Sequence, residues 1–292
     1  MEKRRFHEEC VNHVYQRTLS GFNIFYDVED YLVYFTVFSV LAVKYNIVVY
    51  GLCLMIDHIH SLFFAKDRKT LSGFVSHVTL SFVKEYNSAH GRKGPLFEGR
   101  FGSAPKRGLK LLRTAIAYLY NNPVEKLLCR KAQDFRWNFL AYAHSDHPFS
   151  HKLVIRNAPY RVRRIIKEID YEAKCGRHLS YAILNRFYII TRYSVIRYDL
   201  LESCYGGYEN MLAAINSNAG SEFDINETMY VKSDKEYREL YRYVREYGFR
   251  RAGDVIGLPD ADKYVMCNEL SLHTSASRVQ IAKFLHFNVK CK

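Results

Sequence analysis

The sequence predicts an α+β protein, with a small antiparallel sheet in its first half and mainly helices in its second. Two observations predict this. Apolar residues recur at strand period and helix period in the order strand, helix, two strands, helix, strand over the first ~125 residues. Beyond residue 160 the strand-period runs disappear and the patterns are helical. The first order is the ferredoxin-like one.

Residues 10–18 read as a strand, and Gly21 as a turn before the short apolar piece Phe22 to Tyr26. Asp27 to Asp30 is an acidic helix start, and that helix runs to about Tyr45. Two strands follow. A second helix begins at Thr70 or Ser72, with Leu71, Phe74, Val75, Val78 and Phe82 at helical spacing, and ends near His90-Gly91. A loop and strand occupy Gly94 to Ser103. A third helix carries Leu112, Ala115, Ile116 and Leu119 on one stripe. Pro123 biases Asn122 away from helical geometry, so this helix is expected to end there.

Within the strand pair stands Met55-Ile56-Asp57-His58-Ile59-His60-Ser61, flanked by the apolar runs Ile47 to Met55 and Leu62 to Ala65. Strand side chains alternate between faces, so His58 and His60 point one way and Ile59 the other. Two imidazoles on one face of a strand suit a divalent metal, or equally a hydrogen-bonded core pair. On the third helix, at about 100° per residue, Tyr118 and Asn122 lie about 40° apart. Tyr120 falls on the other side.

This combination resembles the HUH single-strand endonucleases that use one tyrosine: His-hydrophobe-His, then a helical tyrosine with an amide four residues on. The phrase Gly94-Pro95-Leu96-Phe97-Glu98-Gly99-Arg100-Phe101 and the ending Tyr118 to Val124 resemble the REP-associated tyrosine transposases, kin to small insertion-sequence transposases. The resemblance covers residues 1–145. It implies an HUH nuclease sheet with the His pair on a central strand. It implies His58, His60 and Asn122 as ligands of Mg²⁺ or Mn²⁺, and Tyr118 as the nucleophile on DNA. Many relatives carry Gln at the position of Asn122, and the shorter amide must reach a metal from a shifted backbone.

The formal net charge of the 292-residue chain is +13. Residues 1–150 carry 20 Lys/Arg against 13 Asp/Glu, and residues 151–292 carry 23 against 17. Both halves therefore suit a polyanion. Between Lys84 and Arg113 stand Lys84, Arg92, Lys93, Arg100, Lys106, Arg107, Lys110 and Arg113, interleaved with Phe82, Tyr86, Phe97 and Phe101. Cations with aromatic platforms match single-stranded DNA, whose bases stack while its phosphates pair.

Seven scattered cysteines with no Cys-x-x-Cys argue against structural zinc and fit a reducing cytosol. The expected location is the cytoplasm of a bacterium, at the nucleoid. The N-terminus lacks the apolar core of a signal peptide, and Tyr31 to Val43 is too short to span a bilayer. The sequon Asn226-Glu227-Thr228 carries no meaning in an unsecreted chain.

The His-rich loop Ala143 to His151 reads as part of a linker over 146–159, ahead of a helical domain over 160–292. Tyr160 to Cys175 is basic, through Arg161, Arg163, Arg164 and Lys167, and Tyr237 to Tyr247 alternates charge with tyrosine. Tyr264 to Leu272, the turn Thr274-Ser275-Ala276 and Ser277 to Phe287 pattern as a helix-turn-helix or a plain helical hairpin. Ser277 is the expected N-cap. Val279, Ile281, Ala282 and Leu285 are expected inward, with Arg278, Gln280 and Lys283 outward toward DNA.

The reading is a metal-dependent endonuclease and transposase acting on single-stranded or hairpin DNA through a 5′-phosphotyrosine. DNA positioning falls to Lys84, Arg92, Lys93, Arg100, Lys106, Arg107, Arg113, Arg278, Gln280 and Lys283. A homodimer is compatible with the sequence. A transposase-derived DNA-binding regulator and an ordinary phosphoester hydrolase are the rivals.

Overall fold

A computed structural model describes residues 6–150, 153–154, 157–169, 189–217 and 233–287. The expected sequon at Asn226 and the basic stretch beyond Ile169 lie outside the described residues. The first half forms β1 (Val11–Arg17), α1 (Val28–Lys44), β2 (Val48–Leu54), β3 (His58–Phe64), α2 (Arg68–Ala89), β4 (Gly102–Lys106) and α3 (Gly108–Glu125). The four strands make one antiparallel sheet in the order β2-β3-β1-β4. The strand carrying the histidines is therefore central, and both its edges are hydrogen-bonded.

Strand register sorts the side chains. Tyr15 opposes His60, and Arg17 opposes His58. Residues 11, 13, 15 and 17 thus share a face with the two histidines. On the other face Val14, Ile59 and Phe63 meet Tyr34, Phe38, Phe74 and Val78 of α1 and α2. Burial of these apolar groups pins the register, because a one-residue slip would turn His58 and His60 into that core.

Helix starts follow their caps. Asp27 and Asp30 form a capping box on α1. α2 begins at Arg68, two to four residues before the expected Thr70 or Ser72, because the Asp67 side chain accepts the Thr70 amide at 2.6 Å. The strand expected through Ser103 is confined to Gly102–Lys106, after a loop.

α3 departs from expectation more instructively. It does not end at Asn122 but continues through Pro123 to Glu125. The proline removes one backbone donor, yet Lys126 N donates to Asn122 O at 3.1 Å and Leu128 N to Pro123 O at 2.9 Å. Burial of residues 115–123 against the sheet outweighs the local bias. Gly51 makes that approach close: a Cβ there would lie 3.1 Å from the Tyr120 hydroxyl, which donates to Tyr50 O.

The second half contributes α4 (Tyr160–Ile169), α5 (Ile189–Tyr193), α6 (Tyr198–Ser203), α7 (Tyr208–Ser217), α8 (Tyr237–Glu246), α9 (Asp260–His273) and α10 (Arg278–Phe284). Its buried residues join those of the first half in one hydrophobic cluster. α4 is tied to α1 and α2 by Arg161, which reaches Glu29, and by Arg164, which reaches Glu85 at 2.5 Å. α10 is fastened to the segment after β1: Asn23 N donates to Lys283 O, and the Tyr26 hydroxyl donates to Phe284 O.

α9 and α10 are joined by a short turn, and Ser277 caps α10 as expected, with Gln280 completing the box. The expected orientation needs correction. Val279 is exposed, whereas Gln280 is buried and donates to Ser233 O at 2.9 Å. Of the three expected DNA contacts only Arg278 is exposed, and Lys283, half-buried, turns toward Gly21 of the first half.

Candidate functional site

β3 and α3 bring together the four residues that the sequence singled out. His58 and His60 stand on the α3 face of the sheet, their rings 4.9 Å apart and nearly perpendicular. The Tyr118 ring packs edge-on to His60 at 5.6 Å. One turn later, Asn122 Oδ1 lies 3.3 Å from His58 Nε2. Tyr120 points away, onto β2. The helical continuation past Asn122 is what keeps the one-turn spacing intact.

Two residues unassigned from the sequence complete the group. Asp57 Oδ1 accepts from His58 Nδ1 at 2.6 Å. Burial pushes the Asp57 carboxyl up, but the hydrogen bond and charge of His58, with Lys283 and Lys126 behind, hold it below its ordinary value. His13, wholly buried on β1, bonds through Nε2 to His60 Nδ1 at 3.0 Å, and its ring lies 5.9 Å from Tyr118. Asp57 was visible beside His58 in the motif. His13 had no such signal, since only the β1–β3 register puts it on that face.

The arrangement has a chemical consequence. With Nδ1–H given to Asp57, His58 Nε2 presents a lone pair to the amide oxygen of Asn122. A cation between these two acceptors, a second proton on His58, or an Asn122 amide turned to donate its N–H relieves their repulsion. In an octahedral site with bonds of about 2.0–2.1 Å, neighbouring ligands stand roughly 3 Å apart. Two imidazoles and an amide would be the ligand set of a divalent cation held there. Among the described residues no group of three His, Cys, Asp or Glu is placed to hold a metal.

The four side chains are covered: Tyr118 is 3% exposed and Asn122 2%. Beside them opens a cavity of about 340 Å³. Its first-half wall includes Arg17, Asp57, His58, Glu98 and Lys126, and its second-half wall Asp234, Tyr237, Gln280 and Lys283. Burial and the neighbouring Asp57 push the Asp234 carboxyl up to about 7, against the pull of His58, Lys126 and Lys283. None of Lys126, Asp234 or Tyr237 was singled out from the sequence as a site residue, for nothing local marks a wall assembled from segments ~100 residues apart.

The basic residues divide. Lys84, Lys93, Arg100, Arg107 and Lys110 are exposed. Lys106 is 3% exposed, facing inward at the end of β4. Arg92 is occupied by its own loop, donating to Asn87 Oδ1, Gly94 O and Pro95 O. Arg113 donates to Cys204 O and lies over the Tyr205 ring. Lys106 is thus turned from solvent and Arg92 is half-buried in its own loop, whereas Arg113 stays exposed while it bonds Cys204 O.

Fold and site together define an α+β protein with a buried histidine–tyrosine–amide cluster between sheet and helix. No protein-family model matches the chain, and no curated protein matches it. Among solved structures, one described as a REP-associated tyrosine transposase bound to a REP hairpin overlaps 47% of this chain and 81% of its own, at 16% identity and a TM-score of 0.40. No described helix is long and apolar enough to cross a membrane.

Proposed function

We propose that this chain is a ferredoxin-like HUH single-tyrosine nuclease that cuts and rejoins single-stranded, hairpin-associated DNA. The observation that carries this is the placement of Tyr118 and Asn122 on one face of α3, against His60 and His58 respectively. The chemistry is assigned to residues 1–145 and DNA grip to residues 160–292, with 146–159 between them. Cytoplasmic location and a homodimer remain parts of the same proposal.

In this reading the Tyr118 hydroxyl loses its proton and its oxygen bonds to phosphorus. The P–O3′ bond breaks, and the departing 3′-oxygen takes up a proton. The product is a 5′-phosphotyrosine and a free 3′-OH. The reverse attack rejoins DNA without a nucleotide triphosphate, since the bond energy is kept. His58, His60 and Asn122 would hold Mg²⁺ or Mn²⁺, which supplies polarisation of the scissile phosphate. Asp57 and His13 orient the two imidazoles. Exposed Lys84, Lys93, Arg100, Arg107 and Arg278 contact phosphates.

The test is a denaturing gel of full-length protein with a 3′-labelled hairpin oligonucleotide and Mn²⁺. Wild type gives a covalent adduct; Tyr118→Phe gives none and binds the hairpin with nearly unchanged affinity. Adducts that survive in Tyr118→Phe and vanish in Tyr120→Phe would overturn the assignment.

The burial of Tyr118 favours a second reading, a DNA-binding regulator that retains the fold without cutting. That reading requires hairpin binding and no adduct under any metal. An ordinary hydrolase would instead turn over without an adduct.

A further inference from the structure

The cavity beside His58 takes part of its wall, Asp234, Tyr237, Val279, Gln280 and Lys283, from outside the β1–α3 unit. Three features bear on what it takes. First, Lys126 and Lys283 line it, and among the described residues neither side chain is within ion-pair distance of a carboxylate. Lys126 follows α3 and Lys283 lies on α10, so two distant segments bring cations to one space, where both also act on the Asp57 and Asp234 carboxyls. Secondly, Lys283 Nζ packs on Gly21: a Cβ on that residue, which sits at φ +67, would lie 2.8 Å from it. Thirdly, Asp234, just before α8, and Tyr237, its first residue, bring hydrogen-bonding groups to the same wall. Burial holds the Tyr237 phenol protonated, so it can donate.

Size narrows the ligand. Pockets for small ligands run from about 300 to 1,000 Å³. At about 340 Å³ this one is at the small end, with room for one nucleotide rather than a run of strand. It borders Asp57 and His58, so its occupant touches the reacting centre.

The geometry points to a single-nucleotide pocket in which Lys126 and Lys283 bind the phosphate, and Asp234 and Tyr237 face the base, of one nucleotide flanking the cut. The second half of the chain then contributes base selection at the cleavage position, beyond a grip on the backbone. Gln280 acts only as wall, since its amide is committed to Ser277 and Ser233. The location of the cut relies on the nuclease reading above; the existence of the pocket does not.

Binding of the four deoxynucleoside 5′-monophosphates to the full chain, in chelator, tests this by calorimetry or saturation-transfer NMR. The expected result is saturable binding that differs among the four bases, with inorganic phosphate a weak competitor. Lys126→Gln with Lys283→Gln should weaken it about tenfold or more, the worth of one charged hydrogen bond or better. Tyr237→Phe should change the ranking of the bases, and Tyr118→Phe should leave binding unchanged. Melting temperatures establish that each variant is folded. Equal binding of all four nucleotides and phosphate, or wild-type affinity in the folded double lysine variant, would overturn the pocket. Adduct assays with each base at the positions flanking the cut separate the two ideas. Adducts indifferent to the base sink the pocket alone, whereas selective nucleotide binding without any adduct sinks the nuclease and leaves the pocket standing.

Discussion

His13 Nε2 and His60 Nδ1 lie 3.0 Å apart, both fully buried, on adjacent strands of the sheet. When His60 Nδ1 donates, its Nε2 keeps the lone pair that a cation would use. A buried partner of this kind fixes both tautomer and ring angle.

His13→Ala should therefore weaken Mn²⁺ binding about 10–100-fold, with DNA binding in chelator unchanged. His13→Gln, which can still accept from His60, should recover part of the loss. Isothermal titration with Mn²⁺ checks this; equal affinity in the wild type and in folded His13→Ala would show that His13 is only core.

The basic residues should separate into two groups by experiment. Replacing exposed Lys84, Lys93, Arg100 and Arg107 by Gln should lower the slope of log K against log salt by roughly one for each phosphate no longer neutralised, with melting temperature nearly constant. Arg92→Gln or Arg113→Gln should do the reverse, lowering melting temperature while the salt slope holds. Loss of three loop hydrogen bonds from Arg92 is the reason. Fluorescence anisotropy across a salt series, beside thermal melts, measures both.

Acid should loosen the join between α10 and the first half. His286, just past α10, donates Nε2–H to Asn23 O at 2.6 Å and stacks on Phe22. Burial pushes its imidazole down to about 3, although the Asn23 bond opposes this. The neutral ring is thus the folded form, and the unfolded chain takes up the proton first. This share of stability is complete above pH about 6.5 and is lost progressively as pH falls toward 3. Denaturant melts of wild type and His286→Gln should converge over that range, the wild type losing more. Parallel pH profiles for the two proteins would refute the assignment.

The sequence by itself determined the alternation that puts His58 and His60 on one face, and the helical period that puts Tyr118 with Asn122. Both follow from local geometry, two residues per repeat in a strand and 3.6 in a helix. It also determined the acidic helix start at Asp27 to Asp30 and the cap at Ser277, whose side chain accepts the Gln280 amide. Tertiary structure decided the rest. Packing against β2, where Gly51 leaves room for Tyr120, carried α3 through Pro123 and kept Asn122 opposite His58. Strand pairing recruited His13, because register is a relation between two segments that neither one encodes alone. Packing turned Lys106 and Gln280 away from solvent, and loop contacts half-buried Arg92, although composition marks them only as polar. The contact of residues 234–283 with the His58 turn built the cavity. Such a wall depends on where distant chain segments meet, and that is set by shared burial in one core, not by any local pattern.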